Sequence, residues 1–222
     1  MLLANKLLPS RLFSNMTSED VDLLIHCLHM WKKTYGIGEY VHHINDTYNS
    51  IGFVISGKVH MIAEDFWGNR NLIQEFGELE FYGEAHSMTK QPMFFDIVAV
   101  KKSDILFINT DRIITTCHNA CHAHQQLIAN LMRIMSEKKL GYMHKADFLS
   151  KRTTRGKITA FLSEQARIQG TNDFLIPYNR QYLADYLAVD RSALSRELSK
   201  MREEGILDFG NNHFILINPD GI

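Results

Sequence analysis

The sequence predicts an α+β chain in three parts: an N-terminal β-roll (a double-stranded β-helix, or jelly roll) over residues 1–112, a long helix over 113–146 and a C-terminal winged helix-turn-helix over 147–222. Three observations predict it. Short apolar runs separated by glycine recur from about Tyr35 to Asn109, the spacing of a closed or double-sheet all-β unit. Residues from about Asp111 to Ala146 contain no proline and one glycine, Gly141. Two short amphipathic segments a few residues apart, followed by a hairpin signal, occupy the C-terminal part.

The chain has 222 residues, 45% of them hydrophobic, enough for two modest cores. Its opening stretch MLLANKLLPSRLF is interrupted by Lys6 and Pro9 before it could serve as a signal-peptide core, and no apolar run approaches the ~18 residues of a membrane span. A cytoplasmic protein without membrane contact is expected. Cys27, Cys117 and Cys121 are an odd number without framework spacing and read as reduced thiols. SEDVDLLIHCLHMW then reads as a short helix capped at Ser18.

The roll is carried by YGIGEYVHHI, IGFVISGKVHMIAED, NRNLIQEF and DIVAVKKSDILFI. Alternation is clearest from Gly57 to Ile62, and turn signals fall at Gly36/Gly38, Asn49-Ser50, Gly57 and Gly68-Asn69. In the long helix, Ile113, Cys117, Ala120, His124, Leu127, Leu131 and Ile134 follow a 4,3 spacing, the pattern of a seam between two protomers. A second stripe, Ile114, Cys121, Ile128, Met135 and Tyr142, runs beside it. One stripe can pair protomers while the other packs on the roll; two apolar stripes also describe a helix buried within one chain.

In the C-terminal part, Asn179 caps a helix whose inner side is Leu183, Ala184 and Leu187, and Ala188, Val189 and Asp190 form the turn. Asp190 caps a second helix with Leu194, Leu198 and Met201 on one face and Arg191, Ser192, Ser195, Arg196 and Ser199 on the other; Gly205 ends it. ILDFGNNHFILI is hairpin chemistry, a wing. A polar face of guanidinium groups and hydroxyls suits phosphate oxygens and the edges of guanine. Residues 138–222 carry 13 Lys/Arg against 10 Asp/Glu while residues 1–137 carry 11 against 15, so the C-terminal part is the expected partner of a polyanion.

In this order of parts, the chain resembles the cyclic-AMP receptor protein/Fnr family of bacterial transcription regulators. The most specific match is R-x-x-L-A-x-x-L-x-x-x-R-x-x-x-S-R-E-L from Arg180 to Leu198; a weaker one is IGFVISGKV with FYGEAHSM. The resemblance implies a homodimer that binds double-stranded DNA, with RNA polymerase as a candidate partner and a small-molecule effector in the roll. It implies phosphate contacts at Arg180 and Gln181 and guanine reading at Arg191 and Arg196, with Ser195 on the same face and Ser192 where the family often has a base-reading Glu. Ala188 stands where the family's turn often has glycine.

The sensory half departs from the family. Its cyclic-phosphate cassette has G-E, eight residues, then R-S or R-T; Gly83 and Glu84 match, but Met93 and Phe94 replace the Arg and the hydroxyl. Cyclic nucleotide binding is therefore not expected. Glu84, Met93, Phe94, Phe95, Tyr142 and Met143 are the candidate effector-pocket residues, lining a cavity for an apolar effector or simply filling it.

No cofactor is expected. Cys117/Cys121 and His118/His122 are i, i+4 pairs, with His124 nearby, that leave a metal site incomplete, and three cysteines are too few for a four-thiolate cluster. An enzyme of the cupin type is disfavoured because His42 and His43 are consecutive on a strand and point to opposite faces, and no phosphate loop, nucleophile elbow or paired carboxylates appear. A metal- or haem-responsive regulator and a non-enzymatic β-roll adaptor remain the alternatives.

Overall fold

A computed structural model describes residues 2–64, 67, 70–115 and 121–217. Cys117, His118, Ala120 and the Gly68-Asn69 turn lie outside the described residues. The chain forms two compact units, residues 1–135 and 136–222.

The first unit begins with α1 (Leu2–Leu7), a 3-10 turn over Arg11–Phe13 and α2 (Ser18–Cys27). The cap of α2 is Thr17 rather than Ser18: its hydroxyl accepts the amide of Asp20 while the Asp20 carboxylate accepts the amide of Thr17. This reciprocal pair satisfies two amides that Ser18, already inside the helix, could not reach. Among the described residues eight strands follow: β1 (Trp31–Tyr35), β2 (Tyr40–His42), β3 (Ser50–Ser56), β4 (Val59–Glu64), β5 (Arg70–Phe76), β6 (Phe81–Tyr82), β7 (Asp96–Ala99) and β8 (Ser103–Asn109), with α3 (Glu84–Thr89) between β6 and β7. They make two antiparallel four-stranded sheets, in the orders β1-β8-β3-β6 and β2-β7-β4-β5. β3 is buried along most of its length, its side chains serving both the roll interior and the layer outside it. Gly52 is required there, since a Cβ would stand 2.3 Å from the ring of Tyr82.

The predicted continuous helix is divided. α4 (Thr110–Ile114) ends at Thr115, whose ψ of 112° is extended, and α5 runs over His122–Ser150. Ile113, Ile114, Thr115 and Thr116 are four consecutive β-branched residues, a run that loses rotamer freedom in a helix.

The stripe read as a seam between protomers turns inward. Ile113, Leu127 and Leu131 are each no more than 3% exposed and pack in the chain's own core with Leu7, Leu12, Phe13 and Phe53; His124 is equally buried, and Ile134 is partly buried against the same core. The N-terminal segment takes the place expected for a partner helix. Asn130, also buried, holds it by donating to the carbonyls of Leu12 and Ser14, and His124 Nε2 lies 2.8 Å from the carbonyl of Ile113. Ile128 and Met135 of the second stripe are only partly buried, while Met132 beside them is 63% exposed.

The second unit contains the rest of α5, α6 (Thr154–Gln169), β9 (Asp173–Leu175), α7 (Arg180–Tyr186), α8 (Arg191–Glu203), β10 (Leu207–Phe209) and β11 (His213–Leu216). The strands form one sheet, β10-β11-β9. Phe148, Phe161, Leu183, Leu194, Leu198, Met201 and Phe214 are the centre of its core. Among the described residues no helix is long and apolar enough to cross a membrane.

Candidate nucleic-acid interface

Local chemistry builds the helix-turn-helix. Asn179 accepts the amide of Tyr182 and starts α7; Asp190 accepts the amides of Ser192 and Ala193 and starts α8. Both helices end alike: Val189 donates to Ala184 and Ala188 to Asp185 after α7, as Ile206 donates to Met201 and Gly205 to Arg202 after α8. This paired closure needs a left-handed residue. Gly205 supplies it at φ +72°, whereas in the turn between the helices Ala188 is held there at φ +48°. Lys157 of α6 secures the turn, its Nζ donating to the carbonyls of Leu187 at 3.0 Å and Ala188 at 3.1 Å. Arg155 fastens α8 to α6 through Glu197 at 2.6 Å and Glu204 at 2.8 Å.

With Leu194, Leu198 and Met201 buried, the opposite side of α8 presents Arg191 and Arg196 exposed and Ser195 half-buried. Gln181 is exposed on α7, its amide engaged with Asp185. Two predicted residues are committed elsewhere. The Ser192 hydroxyl donates to the capping carboxylate of Asp190, which sits below the usual carboxylate range because of that bond and the amides it accepts. Arg180 is half-buried: its guanidinium lies over the rings of Phe209 and Phe214 and donates to the carbonyl of Gly210 in the wing. Lys157 and Arg155, which brace this surface, were missed by sequence reasoning because their partners are 30 to 49 residues away.

The roll interior is aromatic. His42 stacks on Tyr48 with ring centroids 3.9 Å apart and meets Tyr82 and Phe107 edge-on. Burial lowers the His42 pKa to about 4, so the ring is neutral. Met93, at the position of the family's phosphate-binding Arg, is fully buried and accepts the Tyr48 hydroxyl on its sulfur at 2.6 Å. Gly83 is left-handed at φ +80°, and a Cβ there would stand 2.7 Å from the Tyr48 hydroxyl. Glu84 follows on α3, and its charge adds to burial in raising the Tyr48 pKa. Phe94, adjacent to Met93 in sequence, is 61% exposed and packs edge-on against His86; Phe95 is half-buried. Met93 and Phe94 thus do not share a lining. In the second unit Tyr142 and Met143 are 62% and 56% exposed.

Comparison with known proteins agrees with both units. The profile of the cyclic nucleotide-binding domain matches residues 32–119, and that of the Crp-like helix-turn-helix domain matches residues 156–222. The cyclic AMP receptor protein of Thermus thermophilus is 24% identical over 201 residues, 90% of this chain and 89% of its own. Among solved structures, the catabolite activator protein of Thermus thermophilus superposes with a TM-score of 0.57 at 21% identity, over 95% of each chain. CprK complexed with OCPA superposes with a TM-score of 0.62 at 16% identity, over 90% of this chain and 91% of its own. These two likenesses are of fold. With a cyclic nucleotide-binding-type roll, a Crp-like helix-turn-helix and a receptor-protein relative matched along nearly the whole length, the chain belongs to the Crp/Fnr family of transcription regulators.

Proposed function

We propose that this regulator binds a pseudo-palindromic operator as a homodimer, reading each half-site with Arg191, Ser195 and Arg196 and steadying it with Gln181. The observation that carries the reading is the exposed basic face of α8 opposite a fully buried apolar one. Ser192 contributes to the cap of its helix instead of to base reading. Arg196→Ala should cost about 1–3 kcal/mol on the best duplex and flatten base preference. An equal loss on specific and random duplexes would refute the assignment.

We propose that the dimer contact uses the less buried stripe of α5 around Ile128, Met132 and Met135, of which Met132 is 63% exposed, since Leu127 and Leu131 are occupied within the chain. Dimers of this type hold two reading helices about 34 Å apart, one turn of the duplex.

The roll is proposed not to take a cyclic nucleotide, although the receptor-protein relative is named for one. A buried phosphate at Met93 would meet a thioether under a tyrosine and forfeit charge-assisted hydrogen bonds of about 1.5–3 kcal/mol each. The burial of Met93 under Tyr48 favours filling by the chain itself over an apolar effector at this point. Calorimetric titration with cyclic AMP and cyclic GMP should show no saturable heat. A micromolar dissociation constant abolished by Glu84→Ala would restore the family's usual effector.

A further inference from the structure

Arg180 stands at the first position of α7, where the positive end of the helix dipole makes an ordinary arginine unfavourable. Its guanidinium does not project to solvent as a phosphate ligand would. It lies 5.0 Å from the ring centroid of Phe209 and 5.5 Å from that of Phe214, and Nη2 donates to the carbonyl of Gly210 at 3.2 Å. Nη1 is buried without a partner. Phe209 also receives Arg202 of α8 at 4.8 Å, so one wing ring is gripped by a guanidinium from each helix of the helix-turn-helix. Beyond it the wing closes by the Gly210 amide donating to His213, and its far side is tied to the segment between β9 and α7 by the Ile176 amide donating to Asn212.

From this geometry we infer that Arg180 is a positioning residue: it fixes the tip of the wing, Gly210 to Asn212, relative to the reading helix, and it acts on DNA through the wing instead of by binding a phosphate. The planar fork is essential to the arrangement. It covers phenyl faces while keeping one donor aimed at a carbonyl, which the ammonium of lysine, a compact charge on a flexible stem, does not reproduce. The inference rests on the DNA-binding reading for its effect on affinity but not for its structural part, which is measurable in the free protein.

The test uses the full chain as wild type, Arg180→Lys, Arg180→Ala and Phe209→Leu, and the tightest duplex that the wild type selects from a random library. In the free protein, amide exchange at Gly210 should quicken about fivefold or more in all three variants, while Leu216, bonded to Asn172 away from the tip, stays unchanged as the internal reference. On DNA, Arg180→Lys and Phe209→Leu should each weaken binding about fivefold, the loss of a partly buried cation–π contact, with the dependence of log K on log salt unaltered. A phosphate ligand behaves differently: Arg180→Ala would lower that slope by about 0.9 and Arg180→Lys would bind like the wild type. That pattern, or unchanged exchange at Gly210, overturns the inference. A wild type that selects no duplex would refute the operator reading while the exchange measurement still decides the role of Arg180.

Discussion

Replacing Ala188 by glycine should stabilise the second unit and leave DNA binding intact. Ala188 holds φ +48° at the closure of α7, the position that Gly205 occupies after α8. A left-handed backbone costs a residue with a Cβ about 1–2 kcal/mol, and glycine is free of that cost. Against this stands the greater freedom of glycine in the unfolded chain, about 0.4–1 kcal/mol. Ala188 is exposed, so its methyl surrenders little packing, and the bonds it shares with Asp185 and Lys157 are made by its backbone. The net gain is about 0.5–1 kcal/mol, or roughly 3–6 °C for a unit of this size. The two tryptophans, Trp31 and Trp67, both lie in the first unit. Tryptophan fluorescence therefore follows that unit alone, and circular dichroism follows both. Ala188→Gly should raise the dichroism transition that has no fluorescence counterpart and leave the fluorescence transition in place, with operator affinity within about twofold of wild type. A lowered dichroism transition would show that the methyl is needed where it is and that the strain argument is wrong.

Leu127→Ala should remove about 2–5 kcal/mol from the fluorescence-monitored transition, as expected for a leucine 1% exposed, while light scattering still reports a dimer. Met132→Glu should do the reverse, giving monomers with an unshifted fluorescence transition; monomers from Leu127→Ala at temperatures where it is folded would return the dimer contact to the other stripe. The first unit should also lose stability on acidification in a defined window. His42 is held at about 4 against an ordinary 6.5, so the unfolded chain binds a proton first as the pH falls: stability is level above pH 6.5 and declines by about 3 kcal/mol towards pH 4. His42→Phe, which keeps a ring beside Tyr48, should flatten the fluorescence-monitored stability across that window; an unchanged slope would assign it to other groups.

What the sequence disclosed followed the range of the interactions involved. Asn179, Asp190 and Gly205 act on amides and carbonyls within a few residues, and all three stand where their local signals put them. The strands of the roll were legible for the same reason, through alternation and glycine. Which stripe of α5 turns inward was not, because both have helical spacing and the choice is made by Leu7, Leu12 and Phe13 more than a hundred residues earlier. The break after Ile114 did leave a signal, the β-branched run at 113–116, which a proline-and-glycine count overlooks. At the interface the exposed arginines of α8 were readable from periodicity, but the commitment of Arg180 to the wing depends on Phe209 and Gly210, which no spacing rule connects to it.

The way Asn130 fastens the segment around Leu12 and Ser14 to α5 has a practical consequence for handling the protein. Two carbonyls, those of Leu12 and Ser14, are held by one side-chain amide, and beneath them Leu127 and Leu131 are dry. A chain trimmed to start after Met16 would bare that leucine pair beside Met132 and give the helix a continuous sticky flank. Such a preparation should precipitate or gather into larger assemblies, and an oligomer size measured on it would describe the wound and not the native pairing. Purification handles are therefore better placed at the other end, or cut away without touching Leu7, Leu12 and Phe13.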